Sequence, residues 1–138
     1  MVFARAVETS MAARSRPLSP HLQVYKFTLT MANSIIQRGT GMAMYFGTLL
    51  IVLWLGAAAL GDGPLAVMNA IFGFWLVQIV LFLATWALFH HMLGGIRHFT
   101  WDSIHALDPV GRGTITRVQW ALSIILTLVA WAIFVWFK

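Results

Sequence analysis

Polar side chains gather at two places in this chain of 138 residues, only 9% of which are charged. One is Asn33-Ser34-Ile35-Ile36-Gln37-Arg38; the other is His90-His91-Met92-Leu93-Gly94-Gly95-Ile96-Arg97-His98, followed by Asp102. On a helix, His91 and His98 share a face and stand about 10 Å apart along the axis. Gly94 and Gly95 lie on or beside that face. With no side chains there, a flat macrocycle could rest against the backbone while an imidazole ligated its iron, as in haem proteins. His98 would then stand near the macrocycle's edge, where propionates need cationic or donor partners. His90 points about 100° away from His91, and the spacing favours His91 as the ligand. The same histidines, with Arg97, also fit a helix end that is simply wet, because His and Arg are common at membrane interfaces.

Ser34 and Arg38 are related as i and i+4, so a hydroxyl and a guanidinium can converge on one small polar group. A quinone carbonyl suits such donors: it accepts hydrogen bonds, and a nearby positive charge favours its reduction. The competing reading has Arg38 reaching the lipid headgroups and Ser34 bonding back to its own helix. Asp102 is placed to pair with His98 at i+4 or to remain solvated.

These residues must be positioned by helices in a bilayer. Apolar residues make up 60% of the chain, and three windows lack Asp, Glu, Lys, Arg and His: Gly39–Gly61, Gly63–Phe89 and Val118–Phe137. Each meets the roughly 20-residue length needed to cross a hydrocarbon core of about 30 Å. None alternates as a barrel strand would, and helices satisfy their own backbone hydrogen bonds in lipid. The fold expected is all-α, an integral membrane protein with three transmembrane helices at about 30–60, 65–99 and 115–137. These form an anchor domain over residues 30–138, preceded by an irregular or interfacial segment over residues 1–29.

Local signals refine that layout. Thr30 or Asn33 is expected to cap the first helix. Gly61-Asp62-Gly63-Pro64 should turn the chain into a second helix running unbroken from Leu65 to about Trp101. Asp108-Pro109 and Gly111-Arg112-Gly113 read as the next loop, with Thr114 or Thr116 starting the third helix. Gly39, Ala43 and Gly47 form a small-residue stripe for close helix packing. Trp120, Trp131 and Trp136 suggest an aromatic belt, and the third helix is expected to supply packing rather than chemistry.

The net charge of +5 is topological rather than a sign of nucleic-acid binding. Arg5, Arg14, Arg16, Lys26 and Arg38 precede the first window, and Arg97, Arg112 and Arg117 lie between the second and third. That asymmetry implies an N-terminus inside and a C-terminus outside. With no cysteine, the chain offers neither disulfides nor thiolate ligands.

Antiparallel first and second helices bring the two polar clusters to one membrane depth, where they can form a single site. At these residues the chain resembles the cytochrome b membrane-anchor subunits of succinate dehydrogenase, respiratory complex II. The resemblance runs through Arg16-Pro17-Leu18-Ser19-Pro20-His21-Leu22 with Val24-Tyr25, Ser34-Ile35-Ile36-Gln37-Arg38-Gly39-Thr40-Gly41, and His91 to His98 with Trp101-Asp102. It covers roughly residues 16–138. It implies that His91 is an axial ligand of haem b, with the second ligand supplied by a sister anchor chain. Ser34 and Arg38 would line a ubiquinone site near an iron–sulfur subunit, and His98, Arg38 and Arg97 would lie near the haem propionates. A flavoprotein subunit would oxidise succinate. Gln37 departs from the pattern, which commonly has histidine there; an amide can hydrogen-bond but cannot carry imidazolium charge.

Two other function classes fit parts of the pattern. A structural or assembly anchor without cofactor contacts accounts for the spans but not for two polar clusters at one depth. A transporter or channel subunit would place an ionisable residue well inside a span, and the first two windows hold none. The membrane expected is a bacterial inner membrane, with the mitochondrial inner membrane as the alternative, since residues 1–15 are short for a transit peptide.

Overall fold

The computed structural model describes residues 26–137. The N-terminal expectations over residues 1–25, including the Arg16–Tyr25 part of the resemblance, lie outside the described residues. Four helices follow in order: α1 Leu29–Leu60, α2 Asp62–Gly73, α3 Trp75–Asp102 and α4 Pro109–Trp136. α1, α3 and α4 are each long and apolar enough to cross a membrane, and there is no strand among the described residues.

α1 starts one residue before the expected Thr30. Its cap is Thr28, whose hydroxyl accepts from the Met31 N–H at 3.4 Å. Asn33 is not a cap; it is fully buried one turn inside the helix. α1 ends at Gly61, whose φ of 107° suits a residue without a Cβ. The turn is shorter than expected, because Asp62 already opens α2 and brings a negative charge to the helix N-terminus.

The second helix is not continuous. Phe74 is extended, at φ −68° and ψ 133°, and separates α2 from α3. Gly73, a poor helix former, precedes the break, and the Gln78 side-chain amide donates to the freed Phe72 carbonyl. Without that partner the carbonyl would be bare in an apolar medium. α2 folds back on α1, where the Trp54 indole N–H donates to Asn69 Oδ1 at 3.1 Å. The remaining α3 has 28 residues, about 42 Å of helix, so it still spans.

α4 starts five residues before Thr114. The residues Asp108-Pro109, expected as loop, are its cap and first turn: the Asp108 carboxylate accepts from the Gly111 N–H at 2.8 Å, and Pro109 occupies a position whose N–H would be unsatisfied in any case. That bond from Gly111 is the leading cause holding the Asp108 carboxyl below the usual carboxylate range. The α3–α4 connection includes Ile104 and Ala106 at φ 62° and 54°.

What holds α1, α3 and α4 together is polar. Among the described residues the buried ones are Asn33, Thr40, His90, Arg97, Thr116, Gln119, Ser123 and Thr127, with Ala57, Ala87 and Gly94 as the members without a polar side chain. The large aliphatic side chains face outward. In lipid this arrangement is physically sensible, because apolar side chains gain nothing by leaving acyl chains for a protein interior, whereas interhelical hydrogen bonds and close packing do favour association. On α4 the buried positions Thr116, Gln119, Ser123 and Thr127 form one stripe at helical spacing, so this helix supplies hydrogen-bond partners as well as packing. Trp131 donates to Thr85 Oγ1 at 3.3 Å, and Trp120 stacks at 5.8 Å from Trp86, so these two indoles bind α4 to α3 and only Trp136 is fully outward. Among the described residues nothing lies within 4 Å of where a Cβ would stand on Gly39 or Gly47, so none of the described helices packs on these two glycines.

Candidate functional site

Successive positions on α3 send the two adjacent histidines in different directions. His90 turns into the bundle and is fully buried, whereas His91 turns toward α1 and remains half-buried. The His91 ring comes so close to α1 that a Cβ on Gly41 would stand 3.0 Å from its Cε1. His91 Nδ1 lies 3.2 Å from the Gln37 carbonyl oxygen and 3.3 Å from Thr40 Oγ1. A carbonyl can only accept, so the proton belongs on Nδ1 and the lone pair on Nε2. Nε2 makes no hydrogen bond among the described residues. A metal-binding imidazole needs this arrangement, with one nitrogen donating to a backbone or carboxylate acceptor and the other free to ligate.

Gln37 closes the site from beneath. Its amide donates to the His91 carbonyl at 3.0 Å, and its Oε1 accepts from Gln119 at 3.3 Å. Gln119 in turn donates to the His90 carbonyl at 2.9 Å and accepts from Asn33 at 3.2 Å. One chain of amides therefore ties α1 and α4 to the backbone of α3 at the two histidines. Gly94 makes room for it: a Cβ there would collide with the Gln37 amide. The expectation that both glycines bare the backbone for a macrocycle is thus corrected for Gly94, which is buried under Gln37; of the two, Gly95 alone has nothing within 4 Å among the described residues.

His90 is held differently. The Ser123 hydroxyl donates to the Trp120 carbonyl at 2.9 Å, leaving its oxygen to accept from His90 Nδ1 at 3.3 Å. The Trp86 and Trp120 rings stand 5.0 Å from the imidazole. This enclosure favours His91 over His90 for a ligand shared with another chain.

Arg97 and His98 separate in the same way. Arg97 is buried, donates from Nη1 to Thr116 Oγ1 at 3.4 Å and lies 4.6 Å over the Trp101 ring. His98 is exposed, edge-on to Trp101 at 5.3 Å. Arg97 therefore faces α4, while His98 and the exposed Arg38 remain available to a group outside the chain. Asp102 is exposed and makes no ion pair with His98 among the described residues.

Ser34 lines a cavity of about 400 Å³ with Thr30, Met31, Trp101, Leu107 and Arg112. Arg38 lies one turn further along α1, outside that lining. Arg112, from the first turn of α4, is the cation that meets Ser34 across the cavity. Sequence reasoning gave it only a topological role. Gln119, Ser123 and Thr116 were also missed, although polar residues recurring every three or four positions on an apolar helix were a readable signal.

The chain matches the family described as succinate dehydrogenase/fumarate reductase transmembrane subunit over residues 12–130. It is 43% identical over 94 residues to the succinate dehydrogenase cytochrome b556 subunit of Paracoccus denitrificans, covering 68% of this chain and 72% of that one. It is 32% identical to the Rickettsia felis cytochrome b556 subunit, covering 84% of this chain and 90% of that protein. With the mitochondrial cytochrome b560 subunit of Mus musculus it shares 33% identity, over 84% of this chain and 66% of that protein.

Proposed function

Because the chain belongs to the succinate dehydrogenase/fumarate reductase transmembrane-subunit family and is a multi-pass inner-membrane protein, we propose that it binds haem b together with a sister anchor chain and helps form the ubiquinone site of succinate:ubiquinone oxidoreductase. In this reading it anchors an iron–sulfur subunit and a flavoprotein subunit, with its N-terminus inside and its C-terminus outside. Succinate oxidation belongs to the flavoprotein.

The observation that carries the haem assignment is the His91 ring, with Nδ1 committed to the Gln37 carbonyl and Nε2 left open. Bound haem b supplies a one-electron carrier beside the quinone site. His91 would hold the iron, and exposed His98 and Arg38 would meet the propionates. Arg97 contributes charge from inside the bundle, where its guanidinium lies over the Trp101 ring.

At the quinone site, the Ser34 hydroxyl would donate to a quinone carbonyl. Arg38 and Arg112 would surround it with positive charge, which stabilises the negative charge that develops on that oxygen during reduction. Thr30 and Trp101 bound the rest of the cavity.

Purification of the whole complex carrying His91→Tyr, followed by a reduced-minus-oxidised spectrum, tests the haem reading. Loss of the b-type signal with all subunits present is the expected result. An unchanged signal would remove His91 from the iron.

A further inference from the structure

The Gln37 carbonyl is an unusual acceptor, because two side chains reach it as well as its own helix. Thr40 Oγ1 donates to it at 3.0 Å, and His91 Nδ1 lies 3.2 Å away. Thr40 Oγ1 is also 3.3 Å from the same imidazole nitrogen. With the hydroxyl proton directed at the carbonyl, the lone pairs of Thr40 Oγ1 are free for Nδ1–H. That proton therefore has two acceptors, the carbonyl and the hydroxyl, which are themselves hydrogen-bonded to each other. Thr40 is 5% exposed, so no bulk water stands by to replace its oxygen.

We propose that Thr40 is a positioning residue that tunes the His91 ring, acting with the Gln37 carbonyl as a paired acceptor for Nδ1–H and so setting the electron density at Nε2. The proposal rests on the reading of His91 as an iron ligand and adds the residue that adjusts it. An acceptor on the distal nitrogen makes an imidazole a stronger donor to iron and favours the ferric form.

Removing the hydroxyl has two opposed effects. The imidazole loses one of its two acceptors outright, while the carbonyl, relieved of the Thr40 proton, becomes a somewhat better one. Polarisation of neighbouring hydrogen bonds changes each by only about 10–30%, so loss of the direct acceptor wins. The ring becomes a poorer donor and the ferrous form gains.

A threonine hydroxyl in an apolar helix ordinarily returns its proton to a carbonyl three or four residues back, and Thr40 does so here. That habit alone predicts no change in the haem. The test is an equilibrium redox titration of the haem in the intact complex. Thr40→Val keeps the side chain's shape and removes its oxygen; Thr40→Ser keeps the hydroxyl. At the ambient potential where the unaltered haem is half reduced, the ferric-to-ferrous ratio in Thr40→Val should fall several-fold, while Thr40→Ser should match the unaltered complex. Thr40→Cys, whose sulfur is a weak acceptor, should shift the ratio the same way by less, and serves if Thr40→Val does not assemble. A ratio unchanged in both the valine and cysteine variants, or displaced toward the ferric form, would overturn the proposal. The iron-ligand reading fails separately, through a b-type signal that survives His91→Tyr.

Discussion

The side-chain amide of Gln37 occupies the space over Gly94 that a Cβ would need, and from there it donates to the His91 carbonyl at 3.0 Å. A residue one turn from a proposed iron ligand is thus small because an amide from another helix must pass over it. Gly94→Ala should displace Gln37 and with it the bonds to His91 and Gln119. Interhelical hydrogen bonds in membrane proteins average about 0.6 kcal/mol each, and overpacking typically adds about 1–3 kcal/mol. The complex should therefore melt at a lower temperature and retain less haem after detergent extraction. Gly95→Ala, at a position open within this chain, should leave the melting of the helix bundle unchanged. Thermal scans with haem quantified by pyridine haemochrome distinguish the two.

The Ser34 cavity yields a second prediction. Arg38→Ala and Arg112→Ala should each slow electron delivery to ubiquinone by about 10-fold or more, as loss of one charge-stabilising donor commonly does. Transfer from succinate to a soluble dye should persist. If Arg112→Ala reduces ubiquinone at the normal rate, Arg112 is not part of the site; the same result for Arg38→Ala removes Arg38.

How far the sequence anticipated this site depends on what each residue needs from its surroundings. The three spans were legible because crossing a bilayer is a matter of apolar length. His91 was separable from His90 because seven residues are nearly two helical turns, which aligns His91 with His98. The occupant of the Gly94 slot was not legible: a missing side chain is equally consistent with an approaching amide and an approaching cofactor. Aspartate before proline is a helix-start signal, but Gly111 and Gly113 directly after it have the composition of a loop, which hides the first turn of α4. The break at Phe74 depends on Gln78 reaching back to Phe72, a contact with no composition signature. The polar stripe of α4 was visible but carried no meaning until α3 supplied its partners.

Asp108 makes the start of α4 sensitive to acid. Its hydrogen bond from Gly111 holds its folded carboxyl pKa below the ordinary value. Its stabilising contribution is therefore complete above the ordinary carboxylate range and is lost as pH falls through the depressed folded value. Hydrogen exchange across Pro109–Gly113 should show protection that weakens in that acid window. In Asp108→Asn, which still caps but does not titrate, protection should not vary there. Equal acid sensitivity in the two proteins would place the titration elsewhere.

Both adjacent histidines engage Nδ1, but only the His91 ring stays accessible beside α1, and it is the one proposed to hold the iron. Low-temperature EPR of the oxidised complex tests that assignment most directly, comparing His91→Tyr with His90→Gln. The low-spin haem signal should be lost or converted in His91→Tyr and keep its position in His90→Gln, whose effect is confined to packing against Ser123, Trp86 and Trp120. A signal that survives His91→Tyr and disappears in His90→Gln would contradict it.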